Sequence, residues 1–256
     1  MRIELVSLRY DLYGKRRLEQ VVNIINSSEA DLILFCGHTV SDYNCNSMER
    51  LINNKKSFVV FEVKSVVESQ FVNLNNCLYT INHGHVQNLF TNQLFATSDE
   101  IENNVSLCER FVYELETRRR VLLNDKKFLI LQCGELNIIK NIQKEDNRPV
   151  FRFAQSKDLK ERFDNLLNDT DIILNPIHTP MGNQGKMKKR REYLSDKNRY
   201  YFSTSQNGTR EIKGEKKTIP MDSAVLQYAL HNGVALQEEQ SVTTSLYTLR
   251  VFDISI

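Results

Sequence analysis

Apolar and polar positions along the chain alternate between two periods. Residues 2–7 alternate as a strand with one face in a core does, and residues 15–26 then place Leu18, Val21, Val22, Ile24 and Ile25 on one helical face. A strand followed by the helix that covers it is the unit this pattern predicts. The run 32–35 is continuously apolar, as in a strand buried on both faces. A helix over 47–53 and a strand over 57–62 follow. Doubly buried strands are expected again at 127–132 and 171–174, with amphipathic or charged helices at 157–167 and 185–197. Strands over 200–205, 235–239 and 244–253 complete the C-terminal third.

The middle of the chain reads differently. Residues 71–80 and 88–96 suggest strands joined by polar turns, with Asn82-His83-Gly84 as a turn centre, which implies antiparallel pairing. Residues 109–120 fit neither period cleanly, and Asn207-Gly208 is a second hairpin signal. Strand–helix units on either side of an antiparallel centre predict an α/β fold with mixed sheets covered by helices. No repeat of fixed period is visible.

Composition narrows this further. The 256 residues are 41% hydrophobic and 26% charged, which suits a globular protein and excludes disorder. Nine glycines and four prolines leave no flexible linker, so one domain over 1–256 is expected. No apolar run approaches the roughly 18–20 residues of a membrane helix. The first ten residues read as a strand and not as a signal peptide, so a cytoplasmic protein is expected. The five cysteines are odd in number and form no CxxC pair, against a disulfide framework or a zinc ribbon. A net charge of +2 does not by itself indicate a nucleic-acid protein.

Four segments, taken in order, carry a resemblance. They are Ala30-Asp31-Leu32-Ile33-Leu34-Phe35, Leu129-Ile130-Leu131-Gln132-Cys133-Gly134-Glu135, Asp171-Ile172-Ile173-Leu174-Asn175-Pro176, and the stretch from Arg191 through Asp196 to Phe202. Together they resemble the nitrilase (carbon–nitrogen hydrolase) superfamily over most of the chain. The resemblance implies an αββα sandwich that pairs with a second copy, and amide or nitrile hydrolysis by a Glu, a Lys and a nucleophilic Cys.

Position by position, the resemblance puts Cys133 at the nucleophile. Gly37 stands where the family's Glu is expected, with His38 next to it, and Thr91 stands where the Lys is expected. No Lys occurs between Lys64 and Lys126, so the triad reads as degenerate. Glu135 matches an acidic position beside the nucleophile that is not the family's base. His38 is the nearest substitute base, since imidazole titrates near neutrality. Backbone N–H groups around Gly134 are the oxyanion donors at hand, and His178 follows a strand whose end faces the same pocket. Cys36, His38, Cys133 and His178 form a mixture that zinc accepts, but no resident metal or cofactor is expected.

Lys186, Lys188, Lys189, Arg190 and Arg191 form a dense basic run, with Arg118, Arg119 and Arg120 elsewhere. Such a run either contacts the phosphates of an anionic ligand or nucleic acid, or is a solvated helix face. The alternation of Leu246, Leu249 and Val251, together with the resemblance, suggests a homodimer or a protein partner covering that strand. Two function classes follow: a C–N hydrolase working through Cys133 with an altered base, or an inactive nitrilase-like module that binds a partner, nucleotide or nucleic acid.

Overall fold

The structure is a computed structural model that describes residues 1–64, 77–180, 184–212 and 215–255. In chain order the elements are β1 (Arg2–Leu8), α1 (Gly14–Ser27), β2 (Leu32–Phe35), β3 (Val40–Ser41), α2 (Asp42–Leu51), β4 (Phe58–Lys64), β5 (Leu78–Asn82) and β6 (His85–Asn88). Then come α3 (Ser98–Ile101), α4 (Val105–Thr117), β7 (Arg120–Leu123), β8 (Lys126–Ile130), β9 (Ile139–Ile142), β10 (Arg148–Phe151), α5 (Lys157–Asn168) and β11 (Ile172–Ile177). The last are α6 (Gln184–Leu194), β12 (Tyr200–Ser205), β13 (Gly208–Ile212), β14 (Glu215–Ile219), β15 (Gln227–His231), β16 (Val234–Ala235), β17 (Gln240–Thr243) and β18 (Tyr247–Asp253).

Two mixed sheets hold the core. The first runs β17-β18-β1-β2-β4-β5-β6, with β3 alongside β4. The second runs β16-β15-β12-β11-β8-β7. In the first, β1, β2 and β4 are parallel and are flanked by antiparallel β18 and β5. In the second, β8, β11 and β12 are parallel and are flanked by antiparallel β7 and β15.

The period-2 alternation of each strand decides the layering. Ile3, Leu5, Leu32, Leu34 and Val60 of the first sheet meet Phe128, Ile130, Ile172, Leu174 and Phe202 of the second in one cluster between the sheets. The opposite parity faces outward. Ile33, Phe35, Val59 and Phe61 lie under the apolar faces of α1 and α2, where Val21, Ile25 and Met48 are buried. Leu129, Ile173 and Tyr201 lie under α4, α5 and α6, with Phe111, Leu115, Phe163 and Leu194. The result is the four-layer α-β-β-α order. It explains why these strands read as continuous apolar runs: both of their faces are covered.

Differences from the sequence reading have local causes. The ambiguous region resolves into α4 followed by edge strand β7. The Asn104 side chain caps α4 by accepting from Leu107 N at 3.0 Å, and Cys108, Phe111, Val112 and Leu115 then repeat at helical spacing on its buried face. Residues 89–96 are not a strand; Phe90 adopts a left-handed backbone (φ 54°) just after β6 ends. The hairpin at His83-Gly84 joins β5 to β6 as expected. Asn207-Gly208 instead leads into β13, of which Gly208 is the first residue, and the turn of the β13–β14 hairpin lies at residues outside the described set, as do residues 71–76 of the strand expected over 71–80. The alternating tail is an interior strand: β18 is bonded on one side to β1 and on the other to β17, so its pattern is satisfied within the chain.

Candidate functional site

The parallel strands of both sheets end on one side of the molecule, where α/β folds place their chemistry. From β2 the chain continues into Cys36-Gly37-His38, from β8 into Gln132-Cys133, and from β11 into His178, while β4 contributes Glu62. Gly37 N donates to Ile177 O at 3.0 Å and so ties the two sheets together at this point. The loop after β2 is held by its carbonyls. Arg17, a buried side chain of α1, donates to Thr39 O at 2.5 Å and His38 O at 2.8 Å, and Gln206 Nε2 donates to Gly37 O at 2.9 Å.

Within this frame the side chains of Cys133, His178 and Glu62 lie together. Glu62 is 0% exposed, and its Oε2 lies 2.6 Å from His178 Nε2. The Cys133 side chain lies beside the same imidazole, close enough to act on its charge. The rest of the carboxylate is also occupied: Gln132 Nε2 donates to Oε1 at 2.9 Å and His38 N to Oε2 at 3.2 Å. A fully buried carboxylate is costly unless it is paired and hydrogen-bonded, and here it is both. Burial pushes Glu62 up, but the His178 charge and these hydrogen bonds outweigh it and hold the carboxyl below its usual range. Burial likewise disfavours charge on His178, yet Cys133 and Glu62 together raise it well above its usual value. Cys133 itself sits at the start of a 3-10 turn, Cys133–Ile138, with a left-handed backbone of φ 38°. That conformation is strained for a residue with a Cβ and is typical of functional sites.

His38 was the base expected from the sequence. Its ring stacks on His178, with centroids 3.6 Å apart and planes 18° apart, and burial, then the neighbouring His178 charge, push it down to about 3. His178, expected as a pocket residue, is the imidazole that pairs with Glu62 and lies beside Cys133.

Gly37 explains how these side chains fit. A Cβ at this position would lie 2.2 Å from His178 Cδ2 and 2.9 Å from Glu62 Oε2. The space in which a side chain from position 37 would lie is therefore filled by the imidazole and by a carboxylate arriving from β4. Gly37→Ala is expected to displace His178, to cost about 1–3 kcal/mol as overpacking does, and to slow alkylation of Cys133. Unchanged melting together with unchanged thiol reactivity would contradict so tight a fit.

The remaining expected residues have defined places. Glu135 is fully buried and ion-paired with buried Arg119; its Oε1 accepts from Leu94 N and its Oε2 from Gln132 N, each at 2.8 Å. Arg119 also donates to Thr91 Oγ1 at 2.9 Å and to Asn92 O at 2.5 Å. Thr91 is thus joined to Glu135 through one guanidinium, and this brace fixes 91–94 against the turn that carries Cys133. Gly134 is pressed on the same segment, since a Cβ there would lie 1.9 Å from Ala96 O. Cys36 is buried beneath Leu8 N, which donates to its Sγ at 3.4 Å, and burial pushes its thiol up.

The basic run divides between surface and interior. Arg190 and Arg191 are buried: Arg190 Nε donates to Asn141 Oδ1 at 2.8 Å, and the Arg191 guanidinium lies 3.6 Å over the Tyr228 ring. Lys188 is exposed and pairs with Glu192 one turn on. Two of the five charges therefore serve packing and do not add to an anion-binding face.

Glu62 is the residue that sequence reading missed. Its signal was present: one carboxylate inside the apolar run of β4, whose residues 58–63 are all buried. A charge in such a strand demands a partner, and here the partner is His178, 116 residues later.

No family profile matches the chain, and no curated protein matches it in sequence. Solved structures do match it in three dimensions. An amidase from Nesterenkonia sp. AN1 superposes with a TM-score of 0.58 at 10% identity, covering 100% of this chain and 93% of that one. A variant of it, bearing acrylamide added at its active-site cysteine, gives 0.59 at 11% identity over 100% and 93%. Another variant of this amidase, from the nitrilase superfamily, gives 0.57 at 10% over 100% and 92%. A glutamine-dependent NAD(+) synthetase from Cytophaga hutchinsonii gives 0.55 at 12%, with 99% of this chain covering 43% of that one. The chain has the carbon–nitrogen hydrolase fold of the nitrilase superfamily. At these identities the likeness is one of architecture. Among the described residues no helix is long and apolar enough to cross a membrane.

Proposed function

We propose that this protein is a cysteine hydrolase of carbon–nitrogen bonds of the amide type, working through Cys133, His178 and Glu62. The observation that carries the reading is an imidazole bonded at 2.6 Å to a fully buried carboxylate, with the Cys133 thiol beside the same ring. A nucleophile bonded to a base that is itself oriented by a third group is the arrangement that activates a weak nucleophile. The fold it shares with an amidase whose active-site cysteine takes up acrylamide supports the same reading.

In the proposed reaction Cys133 Sγ attacks the amide carbon as its proton passes to His178. The tetrahedral adduct collapses, its C–N bond breaks, and His178 returns the proton to the departing amine. A thioester remains on Cys133. Water attacks it, His178 takes the water proton, the C–S bond breaks, and the acid leaves with the thiol restored. Glu62 holds the imidazole in place and offsets its charge at each protonation. The backbone N–H groups at the start of the Cys133–Ile138 turn are the donors assigned to the oxyanion. His178 replaces the family's acid–base glutamate in this scheme, and no lysine is required at position 91.

The test is thiol alkylation followed by mass spectrometry, run beside hydrolysis of a panel of small amides with Cys133→Ala as the blank. Cys133 is expected to be alkylated faster than the other four cysteines, and His178→Ala is expected to remove that advantage. Alkylation indifferent to His178, with hydrolysis equal to the blank, would sink the reading and leave an inactive nitrilase-like module.

A further inference from the structure

The relay uses one of two stacked histidines. His38 lies against the other, and a ring nitrogen of His38, a carboxylate oxygen of Glu62 and a ring nitrogen of His178 all fall within 4.8 Å of one another. Two imidazoles and one carboxylate are a donor set that zinc accepts while keeping a fourth position open. Ligand atoms at zinc–ligand lengths of about 2.0–2.1 Å sit about 3.3 Å apart around a tetrahedral ion. The widest pair must therefore close by up to about 1.5 Å, while the 2.6 Å His178–Glu62 pair must open slightly.

The movement falls on one side chain. Parallel rings do not aim their lone pairs at one point, so His38 must tilt about its own side-chain torsions. Its backbone need not follow, because Arg17 and Gln206 hold the loop through carbonyls. The outer contacts also suit a metal. Gln132 Nε2 is on Glu62 Oε1, while Oε2, which meets His178 Nε2 and accepts from His38 N, is the oxygen turned toward the ligand cluster, and such second partners orient ligating carboxylates. The charges facing His38 are Glu62 in favour of a cation and His178, Lys64 and Arg17 against it.

We propose that a zinc-class divalent cation is held by His38, Glu62 and His178 and reversibly silences the relay. The ion takes the place of the proton that His178 shares with Glu62. Glu62 then balances the metal, the imidazole can no longer cycle through its charged form, and acid–base work stops. Binding of the ion does not depend on the hydrolase reading; the silencing does.

The experiment titrates the full chain, stripped with a chelator, with zinc chloride in competition with a chromophoric chelator. One equivalent is expected to bind to the wild type and to Cys133→Ala alike. His38→Asn, a residue type that tolerates the left-handed backbone at this position (φ 54°), is expected to bind about 10-fold more weakly or worse while keeping its circular dichroism spectrum. Zinc should stop amide hydrolysis by the wild type, and His38→Asn should retain more of its own zinc-free rate at the same zinc concentration. No saturable binding, or equal binding by His38→Asn, would overturn the site. Loss of binding in Cys133→Ala would overturn the three-ligand assignment. Zinc binding without hydrolysis by any form leaves the metal site standing and removes the hydrolase reading; hydrolysis without zinc binding does the reverse.

Discussion

Glu62→Gln is expected to lower amide hydrolysis by about 10²–10⁴-fold, the range for loss of effective acid–base catalysis, while leaving the fold intact. The amide keeps the size of the carboxyl group and retains an oxygen for Gln132 Nε2, now 2.9 Å from Glu62 Oε1. It carries no charge, so it cannot balance a protonated His178 2.6 Å away, and an NH₂ turned toward that ring would favour the wrong tautomer. Removing a buried charge relieves desolvation, so stability should change much less than rate. His178, raised by Cys133 and Glu62 against burial, should titrate lower in the variant by NMR. A hydrolysis rate equal to wild type, with His178 titrating unchanged, would exclude Glu62 from the relay.

The second large effect is on stability. Arg119→Ala leaves Glu135, which is 0% exposed, without its counter-charge, and breaking a buried pair from one side typically costs about 3–5 kcal/mol. It also removes the donors to Thr91 Oγ1 and Asn92 O. Because Glu135 also accepts from Gln132 N, the turn that presents Cys133 should loosen and hydrolysis should fall with stability. Urea denaturation of Arg119→Ala, Glu135→Ala and the double variant measures the pair. A double variant much less damaged than the sum of the singles is expected, because the second substitution removes the stranded charge. Strict additivity would mean that the two side chains act separately.

The layering was legible in the sequence because it depends on local pattern. Runs such as 32–35 and 172–174 are apolar at every position only because sheet and helices cover both faces, and that requirement is written residue by residue. Cys133 was legible for a similar reason, since it follows such a run directly. The relay was not. His178 and Glu62 meet across 116 residues and two sheets, and nothing local to either records the other. The same holds for Glu135: beside a nucleophile it suggests chemistry, whereas its partner Arg119 makes it a brace. The basic run around Arg190 misleads in the opposite direction, because guanidinium groups pack inward on Asn141 and Tyr228 as readily as they face solvent.

The backbone at Cys133 also carries a cost in stability. A Cβ-bearing residue in the left-handed region costs on the order of 1–2 kcal/mol, which glycine would avoid. Cys133→Gly is therefore expected to recover part of that cost in stability while removing the thiol. The position holds a strained cysteine beside His178, with the Glu62 carboxylate sealed from water behind that imidazole. Stability at this turn and the thiol it presents are therefore set against each other in one residue.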